Sequence, residues 1–279
     1  MRRTLVYLVL AVTACAPQEP TAARDPAAAP DPGIGHVHGV GVDPADGAVY
    51  LAAHYGLFRV TGERGAVRVA GRVQDHMGFT VTGPKTFLAS GHPGAADQDS
   101  PPHLGLIRTT DAGATWTTVS EKGSADFHAL QPAGADLYAF DSTTGRVRWS
   151  GDGGRTWTQG AADEVIDLAY SGGRLYATTR DGLKVSTNRG LDFEPVPKAP
   201  PLTHVDAGKA LTGVDTDGRV HSSGDGGRSW RAAGSLPGPA VAFAAVGERR
   251  LLAVTEDGVV HDSGDGGLTF NVLFRPADT

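Results

Sequence analysis

Cysteine, basic charge and long apolar runs are scarce in this chain, and each scarcity excludes a class of protein. A single cysteine, Cys15, excludes an internal disulfide framework. The apolar run at residues 5–12 is far shorter than the roughly 20 residues of a membrane-spanning helix. No stretch has helical periodicity, which argues against an α-helical domain. Acidic residues outnumber basic ones, 31 to 25, which argues against nucleic acid as a partner.

What the chain has instead is a short segment repeated five times. Its fullest copy, Ser150 to Trp157, reads S-G-D-G-G-R-T-W. The third residue of each copy is acidic or an amide, and the five are Asp111, Asp152, Asn188, Asp225 and Asp265. Because these residues follow one another at intervals of 36 to 41, the chain is predicted to be an array of similar supersecondary units.

Each copy is predicted to form the turn of a β-hairpin. Aspartate accepts hydrogen bonds from backbone N–H groups just after it, glycine supplies positive φ, and the closing aromatic residue is placed to pack between units. The segment resembles the Asp box, or bacterial neuraminidase repeat, of sialidases and sortilin-type propellers. The third copy departs from that pattern, with Asn188 for aspartate and Asp192 for serine or threonine.

The predicted fold is an all-β, six-bladed β-propeller with Asp-box hairpins in five blades. Short alternating strands with frequent turn signals lie between the repeats, as in an all-β domain. A unit of about 40 residues suits a four-stranded blade, and closing the ring of blades hides the sheet edges. The propeller is assigned to residues 34–279.

The first 33 residues resemble a targeting segment followed by a tether. Arg2 and Arg3 precede the apolar run, and Val12-Thr13-Ala14-Cys15 resembles the bacterial lipobox. Residues 1–14 are therefore predicted to be a signal peptide, and 15–33 the lipidated Cys15 with a disordered Ala/Pro linker. The expected location is the bacterial cell envelope, outside the cytoplasm and lipid-anchored to a membrane. An ordinary signal peptide with an incidental cysteine is the alternative.

Histidines concentrate in the first half of the predicted propeller, where seven of the ten lie between residues 36 and 128. The first strand of each blade lines the propeller axis, so counting back from the second strand should align one residue per blade. Those six residues are His38, Met77, His128, Asp167, His204 and Ala242. Neighbouring inner positions add His36, Asp75 and His76, and the loops after the second strands add His54 and His92.

These residues, Ala242 excepted, form a candidate ligand or metal site at the mouth of the axial channel. Imidazoles suit zinc or copper, and the Met77 thioether favours copper. Histidine could equally act as a general base near neutral pH, and polar channel residues could simply bind water. The His36-x-His38 spacing shows only that both side chains share a strand face. For His103, in a long insertion over 91–103, two interpretations are open: it covers the site, or it has no role, and the second is favoured.

Sialidase activity is not expected. Sialidases use three arginines for the substrate carboxylate and a tyrosine nucleophile, but no arginine occurs between Arg24 and Arg59 and no tyrosine follows Tyr176. Another glycosidase activity is an alternative, since such enzymes need a pair of carboxyl groups. The candidates for that pair are Asp75, Asp141, Asp167 and Asp215. No catalytic residue is assigned.

Further motifs are His36 to Gly39, Asp75 with Met77 to Phe79, Ser90 to Pro93, and Asp126 to Leu130. With the repeats, they make most of the chain similar to bacterial secreted proteins described as glycosylhydrolase-like or exo-sialidase-like, which implies the fold and little chemistry. The pattern also resembles the propeller assembly factor of photosynthetic membranes. That resemblance implies a scaffold that binds protein. The expected partners are thus a membrane and a small ligand, a glycan or an envelope protein, and no nucleic acid.

Overall fold

The structure, a computed structural model, describes residues 31–97 and 99–277. The predicted signal peptide, Cys15 and most of the predicted linker lie outside the described residues. Within the described ranges the one helical element is a short 3-10 turn at Val69–Gly71. None of the helices found there is long and apolar enough to span a bilayer.

In the part of the chain that the structure describes, twenty-four strands make six four-stranded sheets, the blades, each from four consecutive strands. Blades 1 and 2 contain β1 (Val37–Val42), β2 (Val49–Ala53), β3 (Gly56–Gly62), β4 (Gly65–Arg68), β5 (Asp75–Gly83), β6 (Thr86–His92), β7 (Leu106–Thr109) and β8 (Thr117–Ser120). Blades 3 and 4 contain β9 (Phe127–Ala133), β10 (Asp136–Asp141), β11 (Arg146–Ser150), β12 (Thr158–Ala162), β13 (Val165–Ser171), β14 (Arg174–Thr179), β15 (Gly182–Ser186) and β16 (Glu194–Pro195). Blades 5 and 6 contain β17 (Leu202–Ala207), β18 (Leu211–Asp215), β19 (Arg219–Ser223), β20 (Arg231–Ser235), β21 (Ala240–Val246), β22 (Arg250–Thr255), β23 (Val260–Ser263) and β24 (Asn271–Phe274).

The inner strands, which are the first strands of the blades, close a ring around a central channel. Each of β1, β5, β9, β13, β17 and β21 contacts the inner strands of both neighbouring blades. All pairing within a blade is antiparallel. The predicted all-β, six-bladed propeller is therefore confirmed.

The hydrophobic core is divided into six layers, one between each pair of adjacent blades. Alternation along each strand sends apolar side chains into the two layers that flank its blade. Between blades 2 and 3, for example, Leu106 packs with Phe127 and Leu137. The largest layer joins blades 1 and 6, where Val40 and Leu51 meet Leu252 and Phe274. This layer, here called the seam, closes the ring.

The five repeated segments form turns with one shared hydrogen-bond pattern. In blade 3, Ser150 Oγ accepts the Gly154 N–H at 2.8 Å and donates to Asp152 Oδ1 at 2.8 Å. Asp152 then accepts the Thr156 N–H at 2.9 Å and its hydroxyl at 2.7 Å. The two Thr156 bonds hold the pKa of Asp152 far below its usual value. The carboxylate thus ties both ends of the turn, as the sequence predicts.

Blade 4 uses the same turn with two residue types exchanged. Asn188 Oδ1 accepts the Asp192 N–H at 3.2 Å, as an aspartate would. The side-chain bond runs the other way, because Asn188 Nδ2 donates to Asp192 Oδ2 at 2.9 Å. Asn188 therefore has a donor where the other copies have an acceptor, and Asp192 supplies the acceptor. The two substitutions in the third copy, Asn188 and Asp192, therefore compensate each other and keep both hydrogen bonds of the turn.

Each repeated turn also packs against the preceding blade. The closing aromatic residue borders the layer shared with that blade, and the five are Trp116, Trp157, Phe193, Trp230 and Phe270. The fifth residue of the turn is always glycine. At Gly154 (φ +89°) a Cβ would lie 2.2 Å from the Leu106 methyl group Cδ2, and Leu106 is fully buried.

Alanine substitutions at Gly153 and Gly154 should separate backbone strain from loss of space. A Cβ at Gly153 (φ +72°) would meet no atom within 4 Å. Gly153→Ala should therefore lower the free energy of unfolding only by the penalty of the left-handed backbone conformation, about 1–2 kcal/mol. Gly154→Ala should cost a further ~1–3 kcal/mol, because Leu106 has no room to move. Urea unfolding of the two variants measures the difference. Equal stabilities would contradict the packing argument.

Candidate metal centre

Every inner strand carries a β-bulge near its start, at the end of the channel that we call the mouth. In blade 1 the pairing with the second strand skips one residue between Val37 and Gly39, and the other blades repeat the skip. The skipped residues are His38, Met77, His128, Ile166, Thr203 and Val241. These six positions are equivalent, because each is the residue skipped near the start of its inner strand. A bulge also re-aims its extra side chain.

The register corrects half of the alignment made from the sequence. His38, Met77 and His128 do lie at one level. Asp167, His204 and Ala242 lie one residue further on, at the level of Gly39, Gly78 and Ala129. Blades 2, 3 and 4 have equally short connections between first and second strands, so turn length does not account for the slip in blade 4. Each inner strand has an unpaired residue at its bulge, and counting residues does not show which of two adjacent positions is the unpaired one.

A second set of equivalent positions lies two residues before each bulge and at the facing end of the second strand. In blade 2 these are Asp75 and His92, which face each other in the ladder. In blades 1 and 3 the pairs are joined by backbone hydrogen bonds of 2.9 Å, His54 N–H to His36 and Ser142 N–H to Asp126. In blades 4 to 6 the first of these positions holds Glu164, Pro201 or Pro239. At these positions blades 1 and 2 bring imidazoles to the mouth, and blade 3 brings Asp126 and Ser142.

Asp75 of blade 2 is surrounded by three imidazoles from blades 1 and 2. Its Oδ2 lies 3.1 Å from His92 Nδ1 and 3.3 Å from His54 Nδ1. Its Oδ1 lies 3.8 Å from His38 Nε2. The Asp75 side chain is 12% exposed, whereas half of the His54 side chain is open to solvent. The carboxylate is therefore the inner part of the group and His54 its outer edge.

Asp126 of blade 3 is a second, buried carboxylate, linked to Asp75 through His92. We use the name cluster for His38, His54, Asp75, His92, His103, Asp126 and Ser142. The side-chain groups that contact Asp126 all meet Oδ2: His128 Nε2 at 2.8 Å, Ser142 Oγ at 3.0 Å and His92 Nε2 at 3.4 Å. Burial works against ionisation of Asp126, but the contacts from His128, His92 and Ser142 hold its pKa below the usual value. Asp126 is thus a carboxylate with one oxygen occupied and one free.

The cluster contains two groups of three potential metal ligands. One is His38, His54 and Asp75, and the other is His92, His103 and Asp126; within each group one ligand atom per residue lies within 4.8 Å of the others. Four buried polar atoms of the cluster have no hydrogen-bond partner among the described residues. They are His38 Nε2, Asp75 Oδ1, His103 Nδ1 and Asp126 Oδ1, two in each group. Buried polar atoms rarely stay unpaired, so these four call for ions or water.

Three predicted ligands lie outside the two groups but near them. His36 is exposed, with its ring 5.0 Å from that of His38. Met77 is half-buried and lines a cavity of about 230 Å³ together with His38 and His128. His128 reaches the cluster only through its hydrogen bond to Asp126.

Three predicted site residues make their hydrogen bonds and ring contacts outside the cluster: His76, Asp167 and His204. His76 is 1% exposed, and its ring packs 5.2 Å from that of Trp116, because alternation turns it away from Asp75. Asp167 accepts the N–H groups of Val205 at 3.0 Å and its neighbour Leu168 at 2.9 Å, which ties blade 4 to blade 5. His204 lies in the channel wall, with Nδ1 3.2 Å from Thr203 Oγ1.

Asp126, Ser142 and His103 belong to the cluster but are not among the site residues predicted from the sequence. Asp126 could have been found by moving two residues back from His128, since that step stays at the mouth in blades 1 and 2. His103 carried no local signal. The insertion is held by backbone hydrogen bonds from Leu104 N–H to Gly91 and from Gly123 N–H to His103, and these place the imidazole beside His92.

The fold and the site together define a six-bladed β-propeller with a histidine–aspartate cluster on one half of its channel mouth. No protein-family model matches the sequence, and no curated protein matches it. Solved structures do resemble the fold. A YCF48 structure with bound D1 peptide has a TM-score of 0.54 at 14% identity, covering 86% of this chain and 82% of that one.

Two further similarities widen the range of propellers. A structure from a nidogen/laminin complex has a TM-score of 0.63 at 13% identity over 82% of this chain and 93% of its own. The GH74 enzyme of Niastella koreensis has a TM-score of 0.56 at 15% identity, with 86% of this chain covered but only 45% of the enzyme. At these identities the likeness extends to the fold alone.

Three histidines should remain neutral at mildly acidic pH. Burial lowers the pKa of His38 and of His204 to about 4 and that of His76 to about 3. In metal-free protein, their ring C–H resonances should therefore not titrate above about pH 5. An ordinary solvated histidine titrates with a pKa of about 6.5. An NMR titration, assigned with single His→Gln variants, measures this. A midpoint near 6.5 for any of the three would show it to be solvated.

Proposed function

We propose that this protein is a cell-envelope lipoprotein of the Asp-box propeller type whose channel mouth binds a transition-metal ion, zinc or copper. The observation that carries the proposal is the pair of buried, unpartnered atoms His38 Nε2 and Asp75 Oδ1, 3.8 Å apart. Two bonds of about 2.0–2.2 Å to one ion can span that distance. His54 supplies a third ligand from the solvent side.

The protonation and coordination of this group suit a metal that takes an external ligand. The lowered pKa of His38 leaves its imidazole neutral, the form that binds metal. Three protein ligands on a four-coordinate ion leave one position open, as in catalytic rather than structural zinc sites. That position would face the mouth, since His54 is the exposed member.

The choice between zinc and copper depends on Met77. Imidazole and carboxylate suit zinc and copper(II), whereas a thioether shifts preference towards copper(I). Met77 shares a cavity with His38 and His128. A copper ion could use it, while a zinc ion would leave it as part of the wall.

Hydrolysis of glycosides is less well supported by the geometry. A glycosidase needs two carboxyl groups facing each other across a gap. Asp141 is 2.6 Å from Arg148, Asp215 is 2.8 Å from His221, and Asp167 holds two backbone N–H groups. His92 fills the space between Asp75 and Asp126. Similarity to GH74 enzymes therefore supports the fold without a matching acid pair.

A protein-interaction scaffold is the other alternative. YCF48 was solved with a D1 peptide, and its likeness to this chain is one of fold. Ile166, at the bulge of blade 4, is 43% exposed at the mouth and would suit an apolar contact. Pull-down from envelope extracts would favour this role if the metal-site substitutions proved silent.

Metal analysis of the full chain, purified without a histidine tag, tests the metal proposal. Wild-type protein should carry stoichiometric zinc or copper, and Asp75→Asn should lower the affinity at least ~10-fold, the scale on which even outer partners act. Inductively coupled plasma mass spectrometry and calorimetric titration give the two quantities.

Glu164→Gln is the matched control for Asp75→Asn. Glu164 occupies the equivalent position in blade 4, where it forms an exposed ion pair of 3.2 Å with Arg180. This substitution removes one carboxylate from the mouth and should leave metal binding unchanged. Absence of bound metal, or equal effects of the two substitutions, would reject the proposal.

The lipid anchor has its own test. Cys15→Ser should move the protein from the membrane fraction to the soluble extracytoplasmic fraction, because the lipidated side chain is lost. Fractionation and labelling with a fatty-acid analogue measure this in a bacterial host. Membrane association without label in the wild type would show that another contact anchors the protein.

A further inference from the structure

We propose that the cluster holds two metal ions, the second bound by His92, His103 and Asp126. The inference rests on the proposed metal-binding function, because the first ion is the one assigned to His38, His54 and Asp75. The three residues of the second group bring one ligand atom each to within 4.8 Å of one another. They come from blade 2, the insertion and blade 3.

Asp126 supplies the clearest sign that this second group is built for a ligand. Its side chain is only 5% exposed, yet its Oδ1 has no hydrogen-bond partner among the described residues. The other oxygen is fixed by His128 at 2.8 Å and Ser142 at 3.0 Å. These bonds hold the carboxylate so that the free oxygen keeps one direction, as outer partners of metal-bound carboxylates do.

His103 adds a second unpartnered atom from outside the repeat. Its Nδ1 is buried without a partner within the described ranges, and its ring lies 5.6 Å from that of His92. The main chain of His103 is fixed, since its carbonyl accepts the Gly123 N–H at 2.8 Å and the next residue is bonded to Gly91 at 2.9 Å. The insertion thus delivers an oriented imidazole to the place where blade 2 meets blade 3.

His92 joins the two groups, because its ring nitrogens contact the carboxylates of both. Its Nδ1 lies 3.1 Å from Asp75 and its Nε2 3.4 Å from Asp126. A neutral imidazole has one N–H, so it can donate to only one of these carboxylates. With Nε2 on the second ion, Nδ1–H donates to Asp75, which holds the first. Metal-bound histidines commonly donate their other N–H to a carboxylate in this way.

Zinc stoichiometry of the full, untagged chain tests the inference. Metal-free protein is titrated with Zn²⁺, passed over a desalting column and analysed for zinc per chain. Wild type should retain two ions. His103→Ala should retain one, because the first group is intact, and His54→Ala should also retain one, because the second group is intact.

His36→Ala is the control, since it removes an exposed imidazole from the same mouth that belongs to neither group. It should retain two ions. Titration with Co²⁺ gives an independent readout: the visible absorption of the wild type should halve in His103→Ala and be unchanged in His36→Ala. Thermal melts of the metal-free variants check that each remains folded.

The outcomes separate the two proposals. One ion in the wild type, unaffected by His103→Ala, overturns the second site and leaves the metal-binding function standing. Loss of all zinc in His103→Ala also overturns it, because a single shared site is then present. No zinc or cobalt in the wild type rejects both.

Discussion

The close approach of six inner strands around one axis is the constraint on which the rest of this structure depends. At Gly78 a Cβ would lie 2.2 Å from the Phe127 carbonyl oxygen of the next blade, so no larger side chain fits there. Gly39, Ala129 and Ala242 occupy the equivalent positions in three other blades. Blades 4 and 5 carry Asp167 and His204 at this level, so the restriction applies to the other four blades. In those four, the bulged residue just before it is the side chain free to reach the mouth.

Because the blades repeat this arrangement, the chemistry of the mouth is decided by which residues occupy equivalent positions. Blades 1 to 3 present His38, Met77 and His128, and blades 4 to 6 present Ile166, Thr203 and Val241. The same backbone thus carries a polar, ligand-rich half and a largely apolar half.

The fold could be predicted from the sequence because its strongest signal is local. Asp152 and Gly154 belong to a turn whose hydrogen bonds all lie within eight residues. The spacing of five such turns, with the strand pattern of one unit before the first turn, gives six blades. The site could be predicted only in part. His38, His54, Asp75 and His92 were expected at the mouth and lie together there, but the level of Asp167 and His204 depended on which residue of each strand is the bulge. His103 depended on how an insertion folds back, which no periodicity encodes. Asp126 was within reach of the sequence, because it lies two residues before His128 as Asp75 lies two residues before Met77.

The seam has a consequence for the order in which the ring assembles. Its layer joins Val40 to Leu252, which are far apart in the chain, whereas every other layer joins consecutive blades. Closing so long a loop adds little to the equilibrium cost, since that cost grows only logarithmically with length. Because non-local contacts form late in folding, we expect the seam to form after the layers between consecutive blades. Both candidate ligand groups lie on blades 1 to 3 and the insertion of blade 2, so none of their residues comes from blade 6, the far side of the seam.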